Sequence, residues 1–108
     1  MKFGFGVPNR GSIATRENLA TLAQHGEEMG FDRVWSVEHH SLKWYAHMTA
    51  PETFLAFVAA KTSRIRIGHG VVCLPHKMNH PIKVAERVAM LDILSNGRVD
   101  FGVGKGGT

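Results

Sequence analysis

A short β-rich segment opening on arginine occurs three times in this chain, as Arg33-Val34-Trp35, Arg64-Ile65-Arg66-Ile67 and Arg98-Val99-Asp100-Phe101, at spacings of 31 and 34 residues. A strand and the helix that carries the chain back to the next parallel strand take about 30 residues or more, so this is the period of a βα unit. The stretches between the three segments read as helices. From Arg16 to Met29, the residues Leu19, Leu22, Ala23, Gly26 and Met29 follow the helical period, with Thr15 as N-cap and Gly30 just past the end. From Glu52 to Lys61, Phe54, Leu55, Phe57, Val58, Ala59 and Ala60 are apolar on more than one side, which predicts a helix buried on two faces. From Pro81 to Leu94, Val84, Ala85, Val88, Leu91 and Leu94 form one stripe, with Pro81 in the first turn and Asn96-Gly97 as the stop.

A further strand, Lys2 to Val7, precedes all of these, and its glycines Gly4 and Gly6 suit close packing in a narrow interior. The order is therefore β1-α1-β2-α2-β3-α3-β4, an α/β chain with a parallel sheet and right-handed crossovers. All three helices then fall on one side, and the other face of the sheet stays bare unless the sheet curls into a barrel. At 108 residues the chain is one domain at most, and we read residues 1–108 as a single partial domain.

Composition excludes several classes. Cys73 is the single cysteine, so no internal disulfide framework is possible and a reducing, cytoplasmic setting is expected. No apolar run reaches the roughly 20 residues that span a bilayer, and Met1-Lys2-Phe3-Gly4 opens no signal peptide. The net charge is +4, but the 13 lysines and arginines are spread along the chain, which argues against nucleic acid as a partner.

In α/β architectures the chemistry gathers where strands end. Here those ends carry Val7-Pro8-Asn9, Val37-Glu38-His39-His40, Gly68-His69-Gly70-Val71-Val72 and Val103-Gly104-Lys105-Gly106. Glu38, the pair His39 and His40, His69 and Lys105 are thus expected on one rim. A histidine exchanges protons near neutral pH, and Glu38 beside it can fix its tautomer. His76 and His80 have the spacing of two metal ligands on a helix, but Pro75 and Pro81 flank them and no third ligand is near, so no metal is expected. Gly102-Val103-Gly104-Lys105-Gly106-Gly107 matches a dinucleotide fingerprint, and glycines around Lys105 suit an anion. The same glycines also suit tight packing, with Gly102 inside a barrel. Trp35, Trp44, Phe54 and Phe57 are read as core or interface, and the loop from Ser41 to Ala50, with Trp44, Tyr45 and Met48, as a wall for an apolar substrate.

Taken in order, Gly30-Phe31-Asp32-Arg33-Val34-Trp35-Ser36-Val37-Glu38-His39-His40-Ser41, Arg66-Ile67-Gly68 with Gly70-Val71-Val72-Cys73-Leu74-Pro75, His80-Pro81, Val84-Ala85-Glu86 and Leu91 through Gly104 resemble the bacterial luciferase-like, flavin-dependent monooxygenases. The resemblance implies the first half of a (β/α)8 TIM barrel, four strands and three helices, where a complete barrel takes about 250 residues. It implies reduced FMN and dioxygen as co-reactants, a separate flavin reductase, and a small apolar substrate of the aldehyde, alkane or terpene class. Glu38-His39-His40-Ser41 followed by Trp44 looks most like the limonene and alkanal monooxygenase branch, which favours FMN over the deazaflavin coenzyme of a sister branch. On the same resemblance, His39 is the catalytic histidine and borders the cofactor, and Glu38 beside it is expected to be catalytic too. Gly70-Val71 is the place of a non-prolyl cis peptide behind the flavin ring. Gly104 stands where luciferase has a reactive cysteine, and Lys105 where it has an arginine near the flavin phosphate, with Gly106 next to it. Lys for Arg keeps the charge but loses the bidentate fork. Dimerisation through the second and third helices is implied as well. Two other readings stay open: a non-catalytic flavin-binding or dimer-assembly half-barrel, and a deazaflavin-dependent oxidoreductase.

Overall fold

Four strands and three helices alternate strictly: β1 (Gly4–Gly6), α1 (Arg16–Glu28), β2 (Arg33–Ser36), α2 (Pro51–Lys61), β3 (Arg66–Cys73), α3 (Pro81–Leu94) and β4 (Val99–Gly104). They come from a computed structural model that describes residues 1–7, 15–40 and 47–106. The strands form one parallel sheet in the order β1-β2-β3-β4. Each crossover joins neighbouring strands, so right-handed connections carry all three helices to one face. There α2 sits in the middle, packed on α1, α3, β2 and β3.

Strand register sorts the side chains by face. Phe5, Val34, Ile67 and Val99 lie at one level and join the hydrophobic cluster under the helices, with Val34 and Ile67 fully buried beside Leu55, Val58, Ile65 and Leu91. One residue on, the pleat turns Gly6, Trp35, Gly68 and Asp100 to the opposite face. There the Trp35 indole lies over its neighbours. A Cβ on Gly4 would stand 2.6 Å from Trp35 Nε1, and one on Gly68 would overlap the ring, so those glycines are space for the indole. Gly6 has no such neighbour, contrary to the close packing expected there. On the same face Asp100 pairs with Arg33 at 2.6 Å and Arg66 at 2.7 Å. The hydrogen bond from Arg66, together with Arg33 and against a smaller effect of burial, holds the Asp100 carboxyl below its usual range.

Local signals set most boundaries. Thr15 caps α1 through its hydroxyl, which accepts from Asn18 N, and Gly30 follows the helix at φ +87°. His80 caps α3, its Nδ1 accepting from Ile82 N at 3.2 Å. Both α2 flanks are covered, as its sequence predicts: Phe54, Leu55, Val58 and Ala59 are buried and Ala56 and Phe57 half-buried. The α3 stripe is only partly buried. Val84 and Leu91 are covered, whereas Ala85 is exposed and Leu94 is 61% exposed. The helix meets the sheet along a narrower line than the stripe, and nothing among the described residues packs on its outer flank.

The arginine that opens the second repeat is a turn residue, because β3 begins at Arg66 and not at Arg64. The amides of Ser63, Arg64 and Ile65 are drawn out of any ladder by the Glu27 carboxylate, at 3.0, 2.6 and 2.7 Å. The carbonyls of the same turn go to Arg98, whose guanidinium donates to Ala59 O, Thr62 O and Ile65 O at 2.9, 3.2 and 2.9 Å. Among the described residues no helix is long and apolar enough to cross a membrane.

Burial raises the Glu27 carboxyl, but three backbone amides and the Arg98 charge outweigh it and leave it below the usual carboxylate value. A depressed carboxyl pKa means that the unfolded chain binds the proton first as pH falls. The stabilisation is therefore complete above the ordinary value of about 4 and is lost as pH drops through the lowered one. Glu27→Gln is expected to be less stable than the parent at neutral pH and to have a shallower acid limb. Urea midpoints measured from neutral pH into the acid range check this.

Candidate functional site

At the carboxyl ends of β2, β3 and β4 an open groove of about 370 Å³ is bordered by Glu38, His39 and His40, by Gly70, Val71 and Cys73, and by Gly104, Lys105 and Gly106. Val37 and Met78 complete its wall. The residues expected on one rim from three separate strand ends thus meet around a single space. His69 is the exception. Its register partners are Ser36 and Phe101, on the face that looks toward the helices, so its imidazole is buried in the layer below and not at the rim.

Glu38 is the anchor of the groove. It is 7% exposed and its carboxylate is surrounded by donors. Oε1 lies 2.8 Å from His40 Nε2 and accepts from Asn79 Nδ2 at 2.8 Å, while Oε2 accepts from Cys73 N at 2.8 Å. Asn79 also donates to Cys73 O at 2.7 Å. One side chain after β2 therefore ties together the end of β3 and the approach to α3. Burial pushes the Glu38 carboxyl up, and the hydrogen bonds from His40, Asn79 and the Cys73 amide bring it below its usual value, so it is ionised at neutral pH. An ionised acceptor requires the proton on His40 Nε2. The tautomer that Glu38 fixes is that of His40, the second histidine of the pair. The backbone of His39 is held separately, its amide donating to Met48 O at 2.9 Å.

The floor of the groove is largely main chain. The Gly70-Val71 peptide bond is cis, and the β3 to β4 register shifts between His69 and Val72. A Cβ on Gly102 would collide with the His69 carbonyl oxygen, so close approach of the two strands demands glycine there. A Cβ on Gly104 would stand 2.7 Å from Val71 Cγ2. Gly106 has φ +82°. Of the two readings of the glycine-rich stretch, tight packing accounts for Gly102, while Gly104, Lys105 and Gly106 face the groove. With glycine at three of its eleven lining positions and a solvent-exposed lysine at its rim, the space suits a flat ligand that carries an anionic group. Burial, with the Glu38 charge, raises the Cys73 thiol pKa, so Cys73 stays protonated.

Sequence reasoning passed over Asn79, Met78 and the part played by Cys73. Asn79 precedes a helix N-terminus, and no spacing betrays a partner 41 residues away. Residues 8–14, 41–46 and 107–108 lie outside the described residues, and with them Pro8-Asn9, Trp44 and Tyr45. His76 and His80 are exposed with ring centroids 6.2 Å apart, and among the described residues no group of three or more His, Cys, Asp or Glu could hold a metal ion.

The luciferase-like monooxygenase family model matches residues 1–108. Limonene 1,2-monooxygenase of Rhodococcus erythropolis is 45% identical over 85 residues, 79% of this chain and 21% of the relative. The oxygenase component of flavin-dependent trigonelline monooxygenase from Acinetobacter baylyi is 39% identical over 83% of this chain and 24% of the relative. Among solved structures, the FMN complex of the oxygenating constituent of 3,6-diketocamphane monooxygenase from Pseudomonas putida superposes with TM-score 0.86 at 26% identity, covering 100% of this chain and 30% of that one. The coenzyme F420 dependent tetrahydromethanopterin reductase of Methanopyrus kandleri gives TM-score 0.79 at 27% identity, covering 98% of this chain and 27% of that one. The chain thus spans between about a fifth and a third of the length of these proteins.

The two β4 glycines make different demands. Gly102→Ala meets backbone and is expected to cost about 1–3 kcal/mol or more, whereas Gly104→Ala meets a side chain that can rotate and costs less. Urea unfolding of the two variants checks the order.

Proposed function

The chain belongs to the luciferase-like monooxygenase family, with the first four strands and three helices of that family's barrel, and from that premise we propose that its groove is the flavin site of an FMN-dependent monooxygenase acting on a small apolar compound. The observation that supports this most directly is the meeting of Glu38, His39, Gly70, Val71, Gly104, Lys105 and Gly106 around one groove, although they come from three strand ends far apart in sequence. Two of its relatives are named as monooxygenases, one of them flavin-dependent, and the two solved structures are an FMN complex of a monooxygenase and a coenzyme F420 dependent reductase, which supports a flavin or deazaflavin as the cofactor class.

In this reading the cis Gly70-Val71 backbone backs the flavin ring, and Lys105 with the Gly104 and Gly106 amides holds the phosphate. Lysine there is a point charge, so the glycine amides must supply the direction that an arginine fork would give. His39 borders the same space and is the group that holds or moves a proton beside the reacting atoms. Glu38 acts through the fold by fixing His40 and the end of β3. Reduced flavin, when bound, supplies the electrons for oxygen insertion. Val71 and Met78, 37% and 50% exposed, offer apolar surface to the substrate. A separate reductase would deliver reduced flavin, as the description "oxygenase component" implies for the trigonelline enzyme. A second copy would pair along α2 and α3, where Ala56, Met90, Leu91 and Leu94 line an apolar groove.

The likeness to the F420-dependent reductase favours a second reading, a deazaflavin-dependent oxidoreductase. Titration with FMN and with coenzyme F420, followed by fluorescence, separates the two. FMN is expected to bind more tightly, and preference for F420 would overturn the monooxygenase reading. Lys105→Gln should weaken FMN about tenfold, the worth of one charge-assisted hydrogen bond, and leave riboflavin, which lacks the phosphate, nearly unchanged. His39→Ala should lower substrate oxidation about a hundredfold or more, with FMN affinity changed far less.

A further inference from the structure

Beneath the groove, on the helix side of the sheet, His69 Nδ1 is buried with no hydrogen-bond partner among the described residues. The residue is 1% exposed, and its ring stands edge-on to Phe101 with centroids 5.9 Å apart. A buried polar atom left without a partner is costly and rare, and water is the usual remedy. His69 borders a small pocket of about 10 Å³. Space of about 10–15 Å³ holds one water when two to four polar groups line it. Here Glu38, Asn79, Glu52 and Arg87 line it, with valine side chains filling the rest. The Glu52–Arg87 pair, 3.2 Å apart, spans from α2 to α3 on the outer side.

Glu38 borders both this pocket and the groove. Its Oε1 already accepts from His40 and Asn79, while Oε2 accepts from the Cys73 amide, and a carboxylate oxygen takes a second donor readily. We propose that the pocket holds one ordered water bonded to His69 Nδ1 and donating to Glu38 Oε2, which makes His69 a positioning residue for the carboxylate that anchors the groove. The groups facing His69 are Glu52 from α2, Arg87 from α3 and Glu38 from the end of β2. Burial lowers its pKa against the opposing pull of Glu52 and Glu38, so the imidazole is neutral and bonds water with either tautomer. The water site stands on its own, whichever flavin occupies the groove.

His69→Phe keeps an aromatic ring beside Phe101, though a larger one, and removes the nitrogen. If Nδ1 has no partner, that change deletes a buried unsatisfied atom and raises the melting temperature. If a water links it to Glu38, the melting temperature falls and the Glu38 carboxyl, losing one donor, titrates higher by about one pH unit, the worth of one hydrogen bond to a charge. His69→Gln, which can still bond the water, should return the Glu38 midpoint most of the way. Carboxyl 13C NMR titration of the protein and both variants reads the midpoint, and a high-resolution crystal structure of the unsubstituted protein should show the water between the two side chains. A dry pocket, or a Glu38 midpoint unmoved in His69→Phe, overturns the proposal.

Discussion

The connection between α2 and β3 cannot satisfy its own backbone, and two charged side chains from other elements do it instead. Glu27, in the last turn of α1, takes the amides of residues 63–65, while Arg98, at the entrance to β4, takes carbonyls of residues 59, 62 and 65. Four elements, α1, α2, β3 and β4, are thereby fixed to one turn. Hydrogen bonds to ionised groups are about twice as strong as neutral ones, and each partner removed would strand several backbone groups at once. The turn sets where β3 starts, and so sets the register that brings Gly70, Val71 and Cys73 level with the ends of β2 and β4.

At the other end of the sheet the same device builds the site. Glu38 gathers the Cys73 amide, the Asn79 amide group and the His40 ring, joining the segments after β2 and β3. Both anchors are carboxylates held ionised by donors despite burial, and both act on backbone made one βα unit later. The two ends differ in what they leave open. Around Glu27 the carboxylate takes three successive amides, whereas around Glu38 an exposed groove remains with glycine main chain along its floor. Rigid support beneath and open backbone above is the arrangement a bound planar ligand needs.

The order of elements and the helix limits were legible because each rests on local chemistry. Thr15 and His80 cap helices through their own side chains, Gly30 takes a positive φ, and Pro81 opens α3 where proline costs no hydrogen bond. The groove could be read in part, since strand ends converge in any parallel α/β sheet. What escaped depends on distance in sequence. Arg64 looked like a strand start because its claim on Glu27 is 37 residues away. His69 looked like a rim residue because alternation along β3 could not be phased without knowing where the strand begins. The tripeptide Glu38-His39-His40 left open which histidine the carboxylate holds; successive residues in extended chain point apart, and the second histidine, two residues on, returns to the carboxylate.

The helix-free face of the sheet carries its own logic. Trp35 fills the space left by Gly4 and Gly68, and beside it Asp100 serves two guanidinium groups, Arg33 and Arg66. The three charged side chains are between 22% and 37% exposed, so water still screens the surplus positive charge. Sheltering this face from water removes that screening, and buried charges are tolerated only when paired. A layer closing over it therefore has to bring a carboxylate within reach of Arg33 or Arg66. The charge layer lies at the end of the strands opposite the groove, so that demand can be met without placing a new charge among the groups that line the site.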